Sequence, residues 1–206
     1  MTLTAWLLGC TLVLAYIGHR VSIDRSNAAA LAEFHREQSR DRALEPIQSP
    51  DTSTWSRQRV AAYHKAQQGG TSVVAVLRIA AVDLEAPIYK GANERNLNLG
   101  AAWIEGTARL GTAGNVGVAG HRDGYFRALR KLRVGDLIEV ETLRGSIQYH
   151  VTQISIVTPD AVEVLETRAA PTLTLVTCYP FHYVGAAPKR WIAHAERVND
   201  LRAAAR

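Results

Sequence analysis

Cysteine is scarce in this chain of 206 residues, which contains only Cys10 and Cys178. Cys10 lies inside an apolar segment, so a disulfide framework of the kind that stabilises small secreted domains is excluded. Cys178 is therefore expected to be a free thiol. A lone cysteine is commonly a small buried hydrophobic residue, and it becomes a candidate nucleophile when histidine stands elsewhere in the chain.

Runs of one charge sign, internal repeats and low-complexity tracts are also missing. Lys and Arg outnumber Asp and Glu by 24 to 19, but the basic residues are scattered singly and do not form the stripe that nucleic-acid binding requires. Nucleic acid is therefore not an expected partner. With 47% hydrophobic and 21% charged residues, the composition fits one globular domain with a sizeable core.

Metal-binding patterns are missing as well. His182 follows Cys178 by four residues, but a structural zinc site needs four ligands and only one cysteine is at hand. No dense acidic loop suggests a calcium site. We therefore expect no metal and no other cofactor.

One long apolar run is present, at Leu3–Ile17, and with its neighbours it approaches the length that crosses a bilayer. Residues 1–20 are predicted to form a transmembrane signal anchor. A cleaved signal peptide is one alternative, although no basic region precedes the run, and lipidation at Cys10 is another. Arg20 and Arg25 follow the run, and the positive-inside rule then favours a cytoplasmic domain.

The remaining chain divides into a linker region and a domain. Residues 21–54 are predicted to be a juxtamembrane helix followed by a proline- and serine-containing linker, and residues 55–206 form the domain. A helix is predicted over Thr54–Gln68. Short apolar or β-branched runs then recur between turn residues, which predicts an all-β sandwich or closed barrel with few helical turns. These runs are Val73–Ile79, Ala86–Tyr89, Asn115–Ala119, Leu137–Glu141, Ile147–Val157, Thr172–Thr177 and Arg190–Ala195.

Three polar residues stand at the ends of predicted strands. Cys178 follows the run Thr172–Thr177, His121 comes two residues after the run Asn115–Ala119, and Arg190 begins the last run. Each has an ordinary alternative, respectively a buried thiol, a surface histidine and a solvated edge charge. Together they supply what acyl transfer by a thiol needs, namely a nucleophile, a proton-transfer group and a cation for the developing oxyanion.

Several segments resemble the sortase family. Thr174-Leu-Val-Thr-Cys178 matches the sortase TLxTC signature, Asn115–Asp123 resembles the sortase histidine segment, and Cys178–Ile192 resembles the loop that joins the nucleophile to the arginine. The resemblance extends over about Trp55–Glu196 and is closest to the class D-like sortases, including those of Gram-negative bacteria.

The resemblance implies an eight-stranded sortase β-barrel in a single-pass membrane protein whose catalytic domain is extracytoplasmic. It implies cleavage of an LPxTG-like C-terminal sorting signal after its threonine, and transfer of the thioacyl intermediate to an amine-bearing acceptor. Cys178 is then the nucleophile, His121 the acid and base, and Arg190 the oxyanion-side cation.

Substrate-contacting roles are assigned to Thr177, Arg122 and His182, although a solvated surface position is the ordinary alternative for Arg122, Lys189 and Asp123. Two functional alternatives also stay open, namely a cysteine hydrolase that uses water as acceptor and an inactive sortase-like binding module.

Overall fold

A computed structural model describes residues 49–68, 72–183 and 185–198 of the chain. The predictions for residues 1–20 and for most of 21–54 lie outside these residues. Within the described part, no helix is both long enough and apolar enough to cross a membrane. Eight strands form the body of the domain, namely β1 Val73–Ile79, β2 Leu84–Lys90, β3 Ala101–Trp103, β4 Asn115–Gly120, β5 Leu137–Thr142, β6 Gly145–Val157, β7 Thr172–Tyr179 and β8 Lys189–Arg197.

The helices are short and lie between the strands or before them. Helix α1 spans Arg57–Gln67 and helix α2 spans Glu94–Leu99. Three 3₁₀ helices also occur: η1 at Ala80–Val82, η2 at Tyr125–Lys131 and η3 at Val162–Leu165. Of these, η1 was not predicted.

The strands close into a barrel in the order β1-β2-β3-β4-β7-β8-β6-β5, with β5 pairing back onto β1. The β2–β3 and β4–β7 pairs are parallel, and the other pairs are antiparallel. Closure gives each of the eight strands a hydrogen-bonded neighbour on both sides. The predicted eight-stranded barrel with few helices is confirmed.

Side-chain alternation divides each strand into an inner and an outer face. In β7, Leu173 and Leu175 are fully buried members of the core, so Thr174, Val176 and Cys178 face outward. In β4, Val116 and Val118 are likewise buried in the core. Each such aliphatic side chain contributes about 1.5–3 kcal/mol when removed from water, and this fixes the register, because a slip of one residue would expose them all.

Besides η1 and shifts of one or two residues at other strand ends, the structure departs from the sequence-based prediction at three places. Strand β3 was not predicted, because a run of only three residues carries too little periodicity. Helix α1 begins at Arg57 and not at Thr54, because the Ser56 side chain accepts a hydrogen bond from the Arg59 amide and caps the helix there. Strand β7 continues to Tyr179, so Cys178 lies within the strand and not beyond it.

Candidate active site

Three adjacent strands, β4, β7 and β8, bring the predicted site residues to one end of the barrel. Gly120 of β4 pairs with Thr177 of β7 in the parallel ladder, so the next residues along the two strands, His121 and Cys178, are neighbours. Cys178 also lies directly opposite Arg190 in the antiparallel β7–β8 ladder. Directly opposed residues have Cβ atoms about 4.5–5.5 Å apart. The fold thus gathers residues that are separated by up to 69 positions in the chain.

All three residues belong to the outer face of the barrel. Cys178 alternates with the buried Leu175 and Thr177, and Arg190 precedes the core residue Trp191. Continuing the alternation of β4 beyond Gly120 gives His121 the same outward face. The three side chains therefore meet outside the hydrophobic core, where each is partly exposed.

The Cys178 side chain is a free thiol and is partly exposed. Cys178 is the only cysteine among the described residues. It is therefore the only thiol in that part of the chain that could act as a nucleophile. The alternative of an inert buried cysteine does not fit this position, because the side chain is outside the core and next to a cation.

Arg190 is partly buried and carries its charge beside the thiol. Its Nη1 donates to the carbonyls of Ala187, at 3.4 Å, and Lys189, at 3.1 Å. Among the described residues it has no carboxylate partner within ion-pair distance. The remaining guanidinium donors are therefore free for an anionic or carbonyl oxygen.

The His121 ring is mostly shielded, with 21% of its side chain exposed. Its Nε2 atom has no hydrogen-bond partner among the described residues and lies 3.7 Å from Glu94 Oε1. Burial, followed by the positive charge of Arg59, lowers the pKa of His121, and Glu94 and Asp123 oppose the shift in part. Because the ordinary histidine value is about 6.5, the ring is neutral at neutral pH and able to accept a proton.

Arg59 of helix α1 contacts the segment that follows His121. Its Nε and Nη2 donate to Asp123 Oδ1 at 3.1 and 3.0 Å, and Nη1 donates to Asn98 Oδ1. The Arg59 side chain is 14% exposed, so this ion pair is better shielded than an ordinary surface pair. Sequence reasoning missed Arg59, because its partner is 64 positions away and the helix contains other basic residues that are exposed.

Aromatic contacts hold helix α1 in this position. Trp55 packs edge-on against Tyr63 and against Tyr125, with ring centroids 5.7 and 5.5 Å apart. Such pairs contribute about 0.5–1.5 kcal/mol beyond the area they bury. The helix that precedes the barrel is thereby fixed next to the histidine segment.

Replacing Arg59 with glutamine is expected to raise the pKa of His121, because a nearby positive charge is lost and Asp123 loses its partner. The measurement is an NMR titration of the His121 ring, with the signal assigned from a His121→Gln sample. Arg59→Lys is the matched control, since it keeps the charge and should keep the pKa low. An unchanged titration in Arg59→Gln would contradict the electrostatic role.

Arg122 is only 9% exposed, so the solvated-surface alternative is wrong for this residue. Its Nη2 donates to the carbonyls of Tyr183 and Gly185, both at 2.8 Å, and its guanidinium carbon lies 5.6 Å from the centroid of the Tyr183 ring. Arg122 therefore holds the connection between β7, which carries Cys178, and β8, which carries Arg190, against the histidine segment.

The other predicted site residues occupy different environments. The Thr177 hydroxyl donates to the Gly120 carbonyl at 2.7 Å, and the residue is 2% exposed, so its hydroxyl ties β7 to β4. His182 is exposed on the β7–β8 connection. Lys189 is exposed, whereas Asp123 is engaged by Arg59. Among the residues that the structure describes, no three His, Cys, Asp or Glu side chains cluster as a metal site.

The sequence and the fold were compared with known proteins. A family model described as "Sortase domain" matches residues 77–198. Sortase D of Bacillus subtilis is 32% identical over 124 residues, which cover 60% of this chain and 63% of that protein. Sortase A of Bacillus anthracis is 36% identical over 110 residues, which cover 52% of each chain. The matched region therefore spans less than two thirds of the length of these relatives.

Solved structures share the architecture. A sortase D5 transpeptidase from Clostridium perfringens superimposes with a TM-score of 0.58 at 24% identity, covering 78% of this chain and 99% of that one. Sortase A of Listeria monocytogenes gives a TM-score of 0.55 at 28% identity and covers 61% of this chain and 86% of that one. Because the family model matches more than half of the 206 residues, this chain belongs to the sortase family of cysteine transpeptidases.

Proposed function

We propose that this protein is a membrane-anchored sortase that cleaves an LPxTG-like C-terminal sorting signal after its threonine and transfers the protein to an amine acceptor. The observation that carries the proposal is the placement of Cys178 directly opposite Arg190, with His121 at the end of the neighbouring strand. A nucleophile, a proton carrier and a cation then share one outward-facing site.

The first step is attack of the Cys178 sulfur on the carbonyl carbon of the substrate threonine. As the S–C bond forms, the thiol proton passes to His121, whose lowered pKa keeps the ring neutral and ready to accept it. The carbonyl oxygen becomes an oxyanion. Arg190 stabilises this charge through charge-assisted hydrogen bonds, which its permanently charged planar group provides better than lysine.

The second step breaks the C–N bond after the threonine. The oxyanion returns to a carbonyl, the glycine amine takes the proton held by His121 and leaves, and a thioester to Cys178 remains. A proton thus passes from thiol to imidazole to amine.

Transfer reverses these events with a new nucleophile. The acceptor amine loses a proton to the neutral His121 ring and attacks the thioester carbonyl. The S–C bond then breaks, and the sulfur recovers the proton from His121. The product is an amide that links the threonine to the acceptor, and the enzyme returns to its starting state.

The anchor and its orientation belong to the same proposal. Residues 1–20 would hold the catalytic domain at the outer side of the cytoplasmic membrane, where sorting-signal substrates become accessible. The flanking residues Arg20 and Arg25 oppose this topology under the positive-inside rule. A reporter that works only outside the cytoplasm, fused after Arg206, tests the orientation, and an inactive reporter would contradict it.

The test of the proposed reaction is intact-mass spectrometry of the full chain in detergent, incubated with an LPxTG-type peptide. We expect an acyl adduct that maps to Cys178 and is discharged by a glycine-based amine with formation of a ligated product. Discharge by water alone, with no ligated product, would support the hydrolase alternative. Absence of any adduct, while Cys178 still reacts with an alkylating reagent, would leave the inactive binding module.

A further inference from the structure

A short stretch of chain at one end of the barrel combines positive charge with exposed apolar side chains. It begins near the end of helix η2 and runs to the first residue of β5. Its members are Arg130, Lys131, Arg133, Val134 and Leu137, and all five are exposed. We call these five residues the basic surface.

The spacing of apolar residues in and after η2 turns the basic side chains outward. Phe126, Leu129 and Leu132 follow one another at intervals of three, which is the period of a 3₁₀ helix. All three are buried and belong to the barrel core. Arg130 and Lys131, which stand between them, therefore lie on the solvent side.

The positive charges of the basic surface are not neutralised by acidic side chains of the domain. Among the described residues, none of the ion pairs involves Arg130, Lys131 or Arg133. The acid of this stretch is Asp136, whose Oδ2 accepts a hydrogen bond from the Arg133 amide at 2.8 Å. Three basic residues and one acid give residues 130–137 a net charge of +2.

The apolar members of the basic surface are unusually open to solvent. Val134 is 62% exposed and Leu137 is 55% exposed. A single exposed aliphatic side chain is ordinary, but here two of them adjoin three cations. Anionic headgroups attract basic residues over about 10 Å at ordinary salt, and apolar side chains can enter the headgroup region. This combination is typical of surfaces that bind a lipid bilayer.

The chain enters the described domain beside the basic surface. Pro50 lines one cavity with Arg130, and Ser49 lines a second cavity with Leu137. The part of the chain that precedes Ser49 includes the apolar run Leu3–Ile17. If that run is the anchor, the chain that comes from the membrane joins the domain next to the basic surface.

The acidic residues of the first cavity lie on other segments. Asp51, Asp83 and Glu85 line it, and Glu85 is paired with Arg78. Among the residues that line the two cavities, unpaired positive charge is therefore confined to η2. An anionic surface would be contacted by η2 and the turn that follows it, and not by the cavities.

The basic surface lies at the barrel end that carries the candidate active site. Strand β5 is antiparallel to β1, β1 to β2, and β3 to β4, whereas β2 and β3 are parallel. Strands β5 and β4 therefore run in opposite directions. The start of β5, at Leu137, is consequently at the same end of the barrel as the end of β4, which precedes His121.

We propose that the basic surface docks the domain on a bilayer that contains anionic lipid. Its three basic residues contact the headgroups, and Val134 and Leu137 enter the headgroup region. The inference rests on the proposed function, because it takes residues 1–20 as the membrane anchor. It adds a second, reversible contact that turns the active-site end of the barrel toward the bilayer.

The test places a nitroxide label on the full chain in lipid discs and measures its collisions with oxygen, which is enriched in lipid, and with a water-soluble nickel chelate. The label is attached through Val134→Cys in a background of Cys10→Ser and Cys178→Ala. Discs of phosphatidylcholine are compared with discs of equal parts phosphatidylcholine and phosphatidylglycerol. In the anionic discs we expect more collisions with oxygen and fewer with the chelate.

Leu143→Cys provides the matched label position. Leu143 is exposed and follows the other end of β5, so its label should meet the chelate equally in both kinds of disc. A change at Leu143 and none at Val134 would show that the opposite end of the barrel docks, and would overturn the proposal. Concentration-dependent loss of chelate collisions at Val134 without a gain in oxygen collisions would indicate a second copy of the chain, and would overturn it too.

The role of charge is tested by combining Arg130→Gln, Lys131→Gln and Arg133→Gln. Each basic residue at an anionic surface should raise the ratio of docked to undocked domain about fivefold, so the triple variant should lose the difference between the discs. Added salt should have the same effect on the unaltered surface, because it screens the charges. Equal protection of Val134 in neutral and anionic discs would contradict docking by charge.

The matched charge control removes three exposed basic residues elsewhere in the domain, through Lys65→Gln, Arg109→Gln and Arg144→Gln. The net charge of the chain then falls by the same amount as in the triple variant. The difference between neutral and anionic discs should persist at Val134. Its loss would show that total charge, and not the basic surface, determines the contact.

Two further readouts separate this inference from the proposed function. Co-purification of the full chain with the discs tests the anchor, and acyl transfer by wild type tests the chemistry. A chain that is retained by the discs and active, but whose Val134 label stays open to the chelate, would overturn docking alone. A chain that is not retained would refute the anchor, and docking as a second contact would fail with it.

Discussion

Replacement of Cys178 by alanine is expected to abolish formation of the acyl adduct completely and to leave the barrel folded. The acyl adduct is attached through an S–C bond and therefore requires a thiol. Cys178 is the only cysteine among the described residues. The side chain is outside the core cluster and only partly buried, so its loss creates no internal cavity, and the cost in folding free energy should stay below about 1 kcal/mol. The measurements are intact mass after incubation with peptide, and thermal unfolding.

Cys10→Ser is the control for this result, because Cys10 is the other thiol of the full chain. That variant should form the adduct as wild type does. An adduct that persists in Cys178→Ala would remove the central claim. A strong drop in melting temperature in the same variant would instead show that Cys178 is needed for folding.

Replacement of His121 by glutamine should lower kcat by about 10²–10⁴-fold, the range typical of a lost general acid and base. Glutamine keeps a polar planar group in the same place but cannot carry a proton between sulfur and amine. In wild type the acid limb of the rate profile should lie below pH 6.5, because burial and Arg59 lower the pKa of His121, and protonation removes the base. In His121→Gln this limb should disappear.

The measurement is the pH dependence of single-turnover adduct formation. His64→Gln serves as the control, because His64 is exposed on helix α1, where its ring contacts Gln67 and the neighbouring Tyr63. It should retain the wild-type rate and profile. A rate loss of less than about tenfold in His121→Gln would exclude His121 as the proton carrier.

Much of the barrel was predictable because alternation and turn residues act locally. The runs at Val73–Ile79 and Thr172–Thr177 were found at their observed positions or within two residues of them, since β-branched and aliphatic residues alternate there. Strand β3 was missed, because its three residues become a strand only through pairing with β2 and β4 on either side.

The candidate catalytic residues could be named from the sequence, but the residues that hold the surrounding segments in place could not. Cys178, His121 and Arg190 occupy short segments with a recognisable local pattern. The Arg59 contact with Asp123, the Arg122 contact with the β7–β8 connection, and the hydrogen bond from Thr174 to Asn115 join distant segments of the chain. Nothing in the local sequence marks these pairings.

By itself, the sequence of this protein determined the all-β class, most strand positions and the candidate catalytic residues, because periodicity and short motifs are properties of contiguous residues. Tertiary structure alone decided that Cys178 faces outward opposite Arg190, that burial lowers the pKa of His121, and that Arg122 is buried and not solvated. These properties depend on strand register, solvent exclusion and the approach of charges across the fold. None of them exists until the strands have closed into the barrel.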